Sequence, residues 1–273
     1  MLAVLLGAAL HASWNVLVKA GRDKALDIGL VVAGSALLSL LAVPLVPVPA
    51  PASWPMLAAS GVIHQVYFLL VAAAYRAGDM SLAYPLMRGT PPMVVAVLAD
   101  LLIGERLGIG GWVGVAMVSA GVLATAVQRR AAPSLHAVGY ALANALVIVA
   151  YTLVDGIGAR NSGHAVAYTL WVFLLTAALL LPFRAWRHGR ELARHIGCRW
   201  YVGLGGGACT LGSYALALWA MTRAPIAAVS ALRETSILFG VALAALLLHE
   251  RPGGTRLAGI FLIAAGAAAL RLA

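Results

Sequence analysis

Charged residues are scarce in this sequence. Asp, Glu, Lys and Arg make up 10% of its 273 residues, whereas a soluble domain carries about 25%. The apolar share is 63%, the mean hydropathy is +0.95, and apolar segments follow one another from residue 2 almost to the C-terminal end. This composition excludes a soluble or disordered chain and predicts an all-α polytopic membrane protein.

Cysteine is rare, and motifs that carry chemistry are missing. Cys198 and Cys209 lie in an apolar context without a CxxC pair or a histidine cluster, which argues against a disulfide scaffold and a zinc site. HExxH and GxSxG motifs are absent as well. We therefore expect neither an enzyme nor a bound metal or other cofactor.

Acidic residues are outnumbered by basic ones, with 9 Asp and Glu against 19 Lys and Arg. Most basic residues lie at the ends of apolar segments, where they contact anionic lipid head groups and set orientation, so we expect a lipid bilayer and no nucleic acid as partner. They concentrate at the odd-numbered connections, above all in segment 184–199. The positive-inside rule then places both chain ends outside the cytoplasm.

Ten apolar segments are long enough to cross about 30 Å of hydrocarbon, which takes about 20 residues. We place them near 2–19, 27–47, 55–75, 80–104, 109–127, 135–156, 164–183, 200–222, 225–248 and 255–272. The first segment has neither a basic start nor a cleavage site, so we expect a mature helix rather than a signal peptide. The other connections are short, and the charged segment 184–199 is expected to be a loop.

The sequence repeats itself at a constant offset of 145 residues, because residues 88–121 match residues 233–266 without a gap. The shared positions are Arg88 and Arg233, Thr90 and Thr235, Glu105 and Glu250, Gly114 and Gly259, and Gly121 and Gly266. The chain thus divides into two five-span halves, 1–130 and 131–273. An odd number of spans per half inverts the second half, an arrangement typical of transporters that work by alternating access.

The motifs of both halves resemble the EamA-type members of the drug/metabolite transporter superfamily. The first half reads YPLMRGTPPMVVAVLADLLIGERL before the glycine-containing GWVGVAMVSAGVLA, and the second reads APIAAVSALRETSILFGVALAALLLHERPGG before RLAGIFLIAAGAAAL. The segment AYTLVDGIGAR at 150–160 is also similar. The resemblance implies ten helices around a central cavity, transport of small metabolites, and cytoplasmic chain ends, contrary to the charge distribution.

Three charged residues interrupt the apolar spans. Arg88 and Arg233 lie about 12 Å inside the fourth and ninth spans at about 1.5 Å per residue, and Glu234 follows directly. Such residues are costly in a membrane and mark binding sites or ion pathways. Either they contact a ligand, or Arg88 and Glu234 form an ion pair between the halves. Next to Arg88, Pro91 and Pro92 cannot donate hydrogen bonds and should bend the fourth helix.

Other polar residues recur at helical spacing and complete the predicted substrate site. Asn15 and Trp14 lie on the first span, His64 on the third, and Asn144 and Tyr151 on the sixth. Asp155 is expected near the end of the sixth span, and with His64 and Glu234 it is a candidate for a coupling proton. Glu105 and Glu250 are expected to cap or gate the ends of helices, and the paired glycines to support a dimer or internal packing.

These residues predict a secondary transporter in the cell inner (plasma) membrane, either a monomer or a homodimer. Two Arg and one Glu suit a small zwitterionic or anionic metabolite, such as an amino acid, a derivative of one, or a phosphonate-type compound. The alternatives are a lipid-linked flippase of the same fold or, less favoured, an intramembrane enzyme.

Overall fold

The computed structural model describes residues 1–21, 23–77, 80–125, 134–248 and 253–272, and all regular structure within these ranges is helical. The α-helices are α1 Leu2–Lys19, α2 Lys24–Ala42, α3 Trp54–Ala77, α4 Met80–Gly89, α5 Pro91–Ile103, α6 Ile109–Ala124, α7 Leu135–Asn161, α8 Ala165–Met221, α9 Ile226–Arg233, α10 Ser236–Leu248 and α11 Gly254–Leu272. Short 3-10 turns at 43–45 and 51–53 separate α2 from α3. The predicted all-α membrane fold is confirmed.

The predicted spans correspond closely to these helices. Nine stretches within the described residues are long and apolar enough to cross a membrane: Leu2–Lys19, Leu26–Leu45, Pro51–Ala74, Ala83–Ile103, Leu135–Asn161, Ala165–Pro182, Arg194–Met221, Ile226–Leu246 and Gly254–Leu272. The predicted fifth span is the shorter apolar helix Ile109–Ala124, and its last residues lie outside the described part of the chain. The fourth and ninth spans are each made of two helices, α4 with α5 and α9 with α10.

The charged connection 184–199 is helical rather than a loop, because it lies inside α8, whose 57 residues are all helical. Five of its residues are Arg, which favours helices. The rings of Phe173 and Tyr214 nevertheless lie only 6.0 Å apart, whereas a straight helix would separate them by about 60 Å. The chain therefore reverses direction within α8, and the seventh and eighth spans remain distinct.

The chain divides into two compact units, and each takes segments from both halves of the sequence. The first unit contains residue 1, residues 66–154 and residues 223–273, and the second contains residues 2–65 and 155–222. Each of the long helices α3 and α7 contributes to both units.

Within the first unit, α6 packs against α11 through paired glycines. A Cβ atom on Gly121 would lie 2.8 Å from the carbonyl oxygen of Gly259, and one on Gly266 would lie 2.8 Å from the carbonyl oxygen of Gly114. The two backbones therefore approach more closely than any side chain would allow. The glycines predicted to support either a dimer or internal packing serve internal packing.

Within the second unit, α2 packs against the later part of α8 by the same device. A Cβ atom on Gly34 would lie 1.9 Å from the carbonyl oxygen of Gly203. The start of α2 is also held by charge, since the fully buried carboxylate of Asp27 accepts hydrogen bonds from Arg199 at 2.9 and 3.1 Å. The imidazole Nε2 of His195 lies 2.8 Å from the same carboxylate.

Candidate functional site

The fourth and ninth spans are interrupted at equivalent positions of the repeat. Thr90 separates α4 from α5, and its counterpart Thr235 lies between α9 and α10. The prolines after Thr90 explain the first interruption, since they cannot donate backbone hydrogen bonds. The fourth span is thus interrupted beside Arg88, and the bend predicted there stays a prediction.

The second interruption contains no proline and escaped the sequence analysis. Here the backbone N–H groups of Glu234 and Thr235 bond to carbonyls three residues back, at 3.0 and 3.1 Å. The hydroxyl of Thr235 also donates to the carbonyl of Leu232 at 2.6 Å. These bonds tighten the chain into a single turn that ends α9. The match of Thr235 to Thr90 in the repeat could have predicted this break.

Arg88 and Glu234 form a buried ion pair at these interruptions. Arg88 Nε donates to Glu234 Oε2 at 3.0 Å, and Arg88 Nη2 lies 3.0 Å from Glu234 Oε1. The two residues are only 9% and 5% exposed. Each charge compensates the other in a region where an isolated ion would be very costly. Of the two roles considered for these residues, the ion pair is present in the structure.

Arg233 adds a second positive charge to this pair. It is the last residue of α9, where the negative end of the helix dipole favours a cation. Arg233 and Arg88 both interact electrostatically with the side chains of Glu234, Tyr67 and Tyr151. The two phenol rings meet edge to face, with their centroids 5.9 Å apart. The predicted residues Arg88, Arg233, Glu234 and Tyr151 thus come together in the first unit.

Tyr67 and Tyr84 belong to the same group, although neither was among the predicted site residues. Tyr84 lies one helical turn before Arg88 on α4 and interacts electrostatically with Arg88, Glu234 and Tyr67. The spacing of four residues places Tyr84 and Arg88 on one face of the helix. This spacing is visible in the sequence and could have identified Tyr84 as a site residue. We call Arg88, Arg233, Glu234, Tyr67, Tyr84 and Tyr151 the charged cluster.

Asn144 lies two helical turns before Tyr151 on α7, on the same face. It is fully buried, and its Nδ2 donates to the sulfur of Met87 at 3.0 Å. Its Oδ1 has no hydrogen-bond partner within the described residues. The buried Nη2 of Arg88 lies close to Glu234 but makes no hydrogen bond of good geometry with a described residue. A buried acceptor and a buried donor are thus left with capacity to bind another molecule.

Trp14 and Asn15 lie in the second unit, and their described hydrogen bonds stay within α1. Asn15 Nδ2 donates to the carbonyl of His11 at 2.7 Å, and Trp14 Nε1 lies 3.3 Å from His11 Nδ1. The Trp14 ring also packs against a small apolar group formed by Val18, Val31 and Val202. Their predicted contact with a substrate stays a prediction.

His64, also in the second unit, belongs to a polar group around Asp155. Its Nδ1 lies 3.2 Å from the hydroxyl of Ser60, and its ring meets that of Tyr214 with centroids 6.3 Å apart. Asp155 was expected near a span end, but α7 continues to Asn161 and Asp155 is fully buried. That expectation was wrong, because Ile157, Gly158 and Ala159 continue the apolar helix beyond residue 156.

Glu105 caps a helix, as one of its two predicted roles required. Its Oε2 accepts the backbone N–H of Ile226, the first residue of α9, at 2.7 Å. A carboxylate at this position satisfies an unpaired N–H group and compensates the positive end of the helix. Its repeat counterpart Glu250 lies outside the described residues.

Comparison with known proteins identifies the family of the chain. The chain matches the family described as EamA-like transporter family twice, over residues 1–127 and 135–272. None of the curated proteins matches. A solved structure described only as "Crystal structure of protein" is similar to this chain with a TM-score of 0.72 and 20% identity, covering 99% of this chain and 94% of that one, which at this identity shows the fold. The chain is thus a multi-pass membrane protein that belongs to the EamA-like transporter family.

Proposed function

We propose that this protein is a secondary transporter of the inner (plasma) membrane that moves a small zwitterionic or anionic metabolite by alternating access. The charged cluster, together with Asn144, is the proposed binding site. Amino acids, their derivatives and phosphonate-type compounds are the proposed substrates. Membership of a transporter family supports the transport function, and the residues of the cluster support the class of substrate.

The charge of the cluster carries the proposal. Within the charged cluster, Arg88 and Arg233 contribute two guanidinium groups and Glu234 one carboxylate, so the cluster itself contains more positive than negative charge. A ligand carboxylate or phosphonate would neutralise that excess, and guanidinium groups bind such anions through paired hydrogen bonds. The ammonium group of a zwitterion would find its counter-ion in Glu234.

The remaining groups suit the rest of a small metabolite. The phenol rings of Tyr67 and Tyr151 offer aromatic faces and hydroxyl groups beside the charges. The Oδ1 atom of Asn144 is an acceptor that still lacks a donor among the described residues. A ligand N–H or O–H group would satisfy this atom, which is costly to leave unpaired.

Ligand-dependent thermal stability of the purified protein tests the proposal. The panel contains amino acids, dicarboxylates and phosphonates, with quaternary amines as ligands of opposite charge. We expect anions or zwitterions to raise the melting temperature of the wild type, and uptake of the same compound into proteoliposomes to follow.

Two variants locate the site, and a third controls for the loss of an arginine. Arg233→Gln and the double change Arg88→Gln with Glu234→Gln are expected to lose the ligand-dependent stabilisation. Arg271→Gln, an exposed arginine near the end of α11, is expected to keep it. A compound that stabilises all of them equally would show that it binds elsewhere, and stabilisation by amines alone would overturn the proposed substrate class.

A further inference from the structure

Three acidic residues are buried among the described residues, namely Asp27, Asp155 and Glu234. Asp27 is bound by the guanidinium group of Arg199, and Glu234 by that of Arg88. Arginine does not lose its proton in proteins, so each of these two carboxylates has a permanently charged partner. Asp155 differs from both, because no arginine or lysine is among its described partners.

The partners of Asp155 are hydroxyl groups and one imidazole. Tyr168 donates its hydroxyl to Oδ1 at 3.0 Å, and Tyr214 donates its hydroxyl to Oδ2. The hydroxyl of Ser60 is a third hydrogen-bond partner, and His64 interacts electrostatically with the carboxylate. These groups come from α3 and from both arms of α8, and they are the titratable and polar groups that face Asp155.

Such a shell accommodates both protonation states of the carboxyl group. The ionised form accepts hydrogen bonds from the three hydroxyl groups, as in the structure. After protonation one carboxyl oxygen becomes a donor, and a hydroxyl group can rotate to accept from it, which a guanidinium group cannot do. The loss of charge also removes the cost of keeping an ion in the membrane interior.

The same group of residues contains a path for the proton. Asp155 and Tyr168 are fully buried, whereas His64 is partly exposed. Ser60 lies between them, since its hydroxyl contacts His64 Nδ1 at 3.2 Å and also bonds to Asp155. An imidazole can bind a proton and release it again, so the hydroxyl of Ser60 connects a group that can carry a proton to the carboxylate of Asp155.

We propose that Asp155 is the site at which this protein binds the proton that drives its transport, with His64 as the group that loads it. The coupling of the proton to transport rests on the proposed transport function. The binding of the proton to Asp155 does not depend on that function. It assigns the proton to the second unit and the metabolite to the charged cluster of the first unit.

Infrared difference spectroscopy tests the proton site without any substrate. Protein reconstituted in lipid bilayers is titrated with acid, and the carbonyl band of a protonated carboxyl group is followed. We expect the wild type to show a component of this band that Asp155→Asn removes. Asp27→Asn is the matched control, because it removes an equally buried carboxylate that is paired with Arg199, and it is expected to keep that component.

A second variant keeps the test informative if Asp155→Asn does not fold. Tyr214→Phe removes one hydrogen-bond donor from Asp155 but leaves the carboxyl group in place, so the band should persist with a midpoint different from that of the wild type. A wild-type protein without a titrating carboxyl band, or a band that Asp155→Asn leaves unchanged, overturns the proposal.

Transport measurements test the coupling separately. In proteoliposomes we expect a pH gradient to drive uptake by the wild type but not by Asp155→Asn, while the variant retains ligand-dependent thermal stabilisation. Uptake by Asp155→Asn that still follows the pH gradient would overturn the coupling role. If no ligand stabilises the wild type, the proposed metabolite site is wrong. That result would leave the infrared evidence for the proton site unchanged.

Discussion

Arg88 and Glu234 form an ion pair between the two halves of the sequence, although the repeat matches Arg88 with Arg233. Arg88 Nε lies 3.0 Å from Glu234 Oε2. The repeat counterpart of Glu234 is Gly89, where a Cβ atom would lie 2.8 Å from the side chain of Leu123. A side chain at Gly89 would displace Leu123, and the carboxylate of the pair comes from the second half. The cluster therefore carries an excess of positive charge.

Breaking this ion pair on one side should destabilise the protein more than replacing both partners. We expect Glu234→Leu to cost about 3–5 kcal/mol because it leaves the buried guanidinium group of Arg88 without a counter-ion. The double variant Arg88→Met with Glu234→Leu should recover much of that loss. Thermal unfolding of the purified variants measures both effects. If the double variant lost as much stability as the two single changes together, this would contradict the ion pair.

A single methyl group should disturb the packing of α6 against α11. We expect Gly121→Ala to destabilise the protein by about 1–3 kcal/mol through overpacking, because its Cβ atom would lie 2.8 Å from the carbonyl oxygen of Gly259. The control is Gly139→Ala on α7, where nothing lies within 4 Å of the added atom. An equal melting temperature for the two variants would contradict the close contact.

The carboxylate of Asp27 should matter more than that of its neighbour Asp23 at the start of α2. We expect Asp27→Leu to cost about 1–3 kcal/mol or more, since Arg199 and His195 lose their acceptor. Asp23 is exposed and caps α2 by accepting the N–H of Leu26 at 2.9 Å. Asp23→Ser keeps a capping group and should be nearly neutral. Chemical or thermal unfolding distinguishes the two, and a neutral Asp27→Leu would refute the role.

The distribution of basic residues predicts the orientation of the chain. Because Arg residues concentrate in segment 184–199, we expect that segment in the cytoplasm and both chain ends outside. Reporter fusions made after residue 190 and at the C-terminus measure this directly. A cytoplasmic C-terminus would instead agree with the orientation that the family resemblance implies.

Much of the fold follows from the sequence because membrane crossing imposes strong local constraints. A span needs a minimum apolar length, which made the ten segments visible. The repeat was visible because Arg88 and Arg233 lie at equal depth in matching segments. Pro91 and Pro92 indicated a break in the fourth helix, since proline cannot donate a backbone hydrogen bond. The helical course of segment 184–199 was missed because charge was taken as a sign of a loop.

The sequence by itself determined the number of spans, their inverted repetition and the presence of buried charges, since hydropathy and spacing are properties of local segments. Only the tertiary structure decided which groups meet. It paired Arg88 with Glu234, joined α6 to α11 through Gly121 and Gly259, and surrounded Asp155 with Tyr168 and Tyr214. Arg88 and Glu234 lie 146 residues apart along the chain, and Asp155 and Tyr214 lie 59 residues apart, so only the packing of the helices brings these groups into contact.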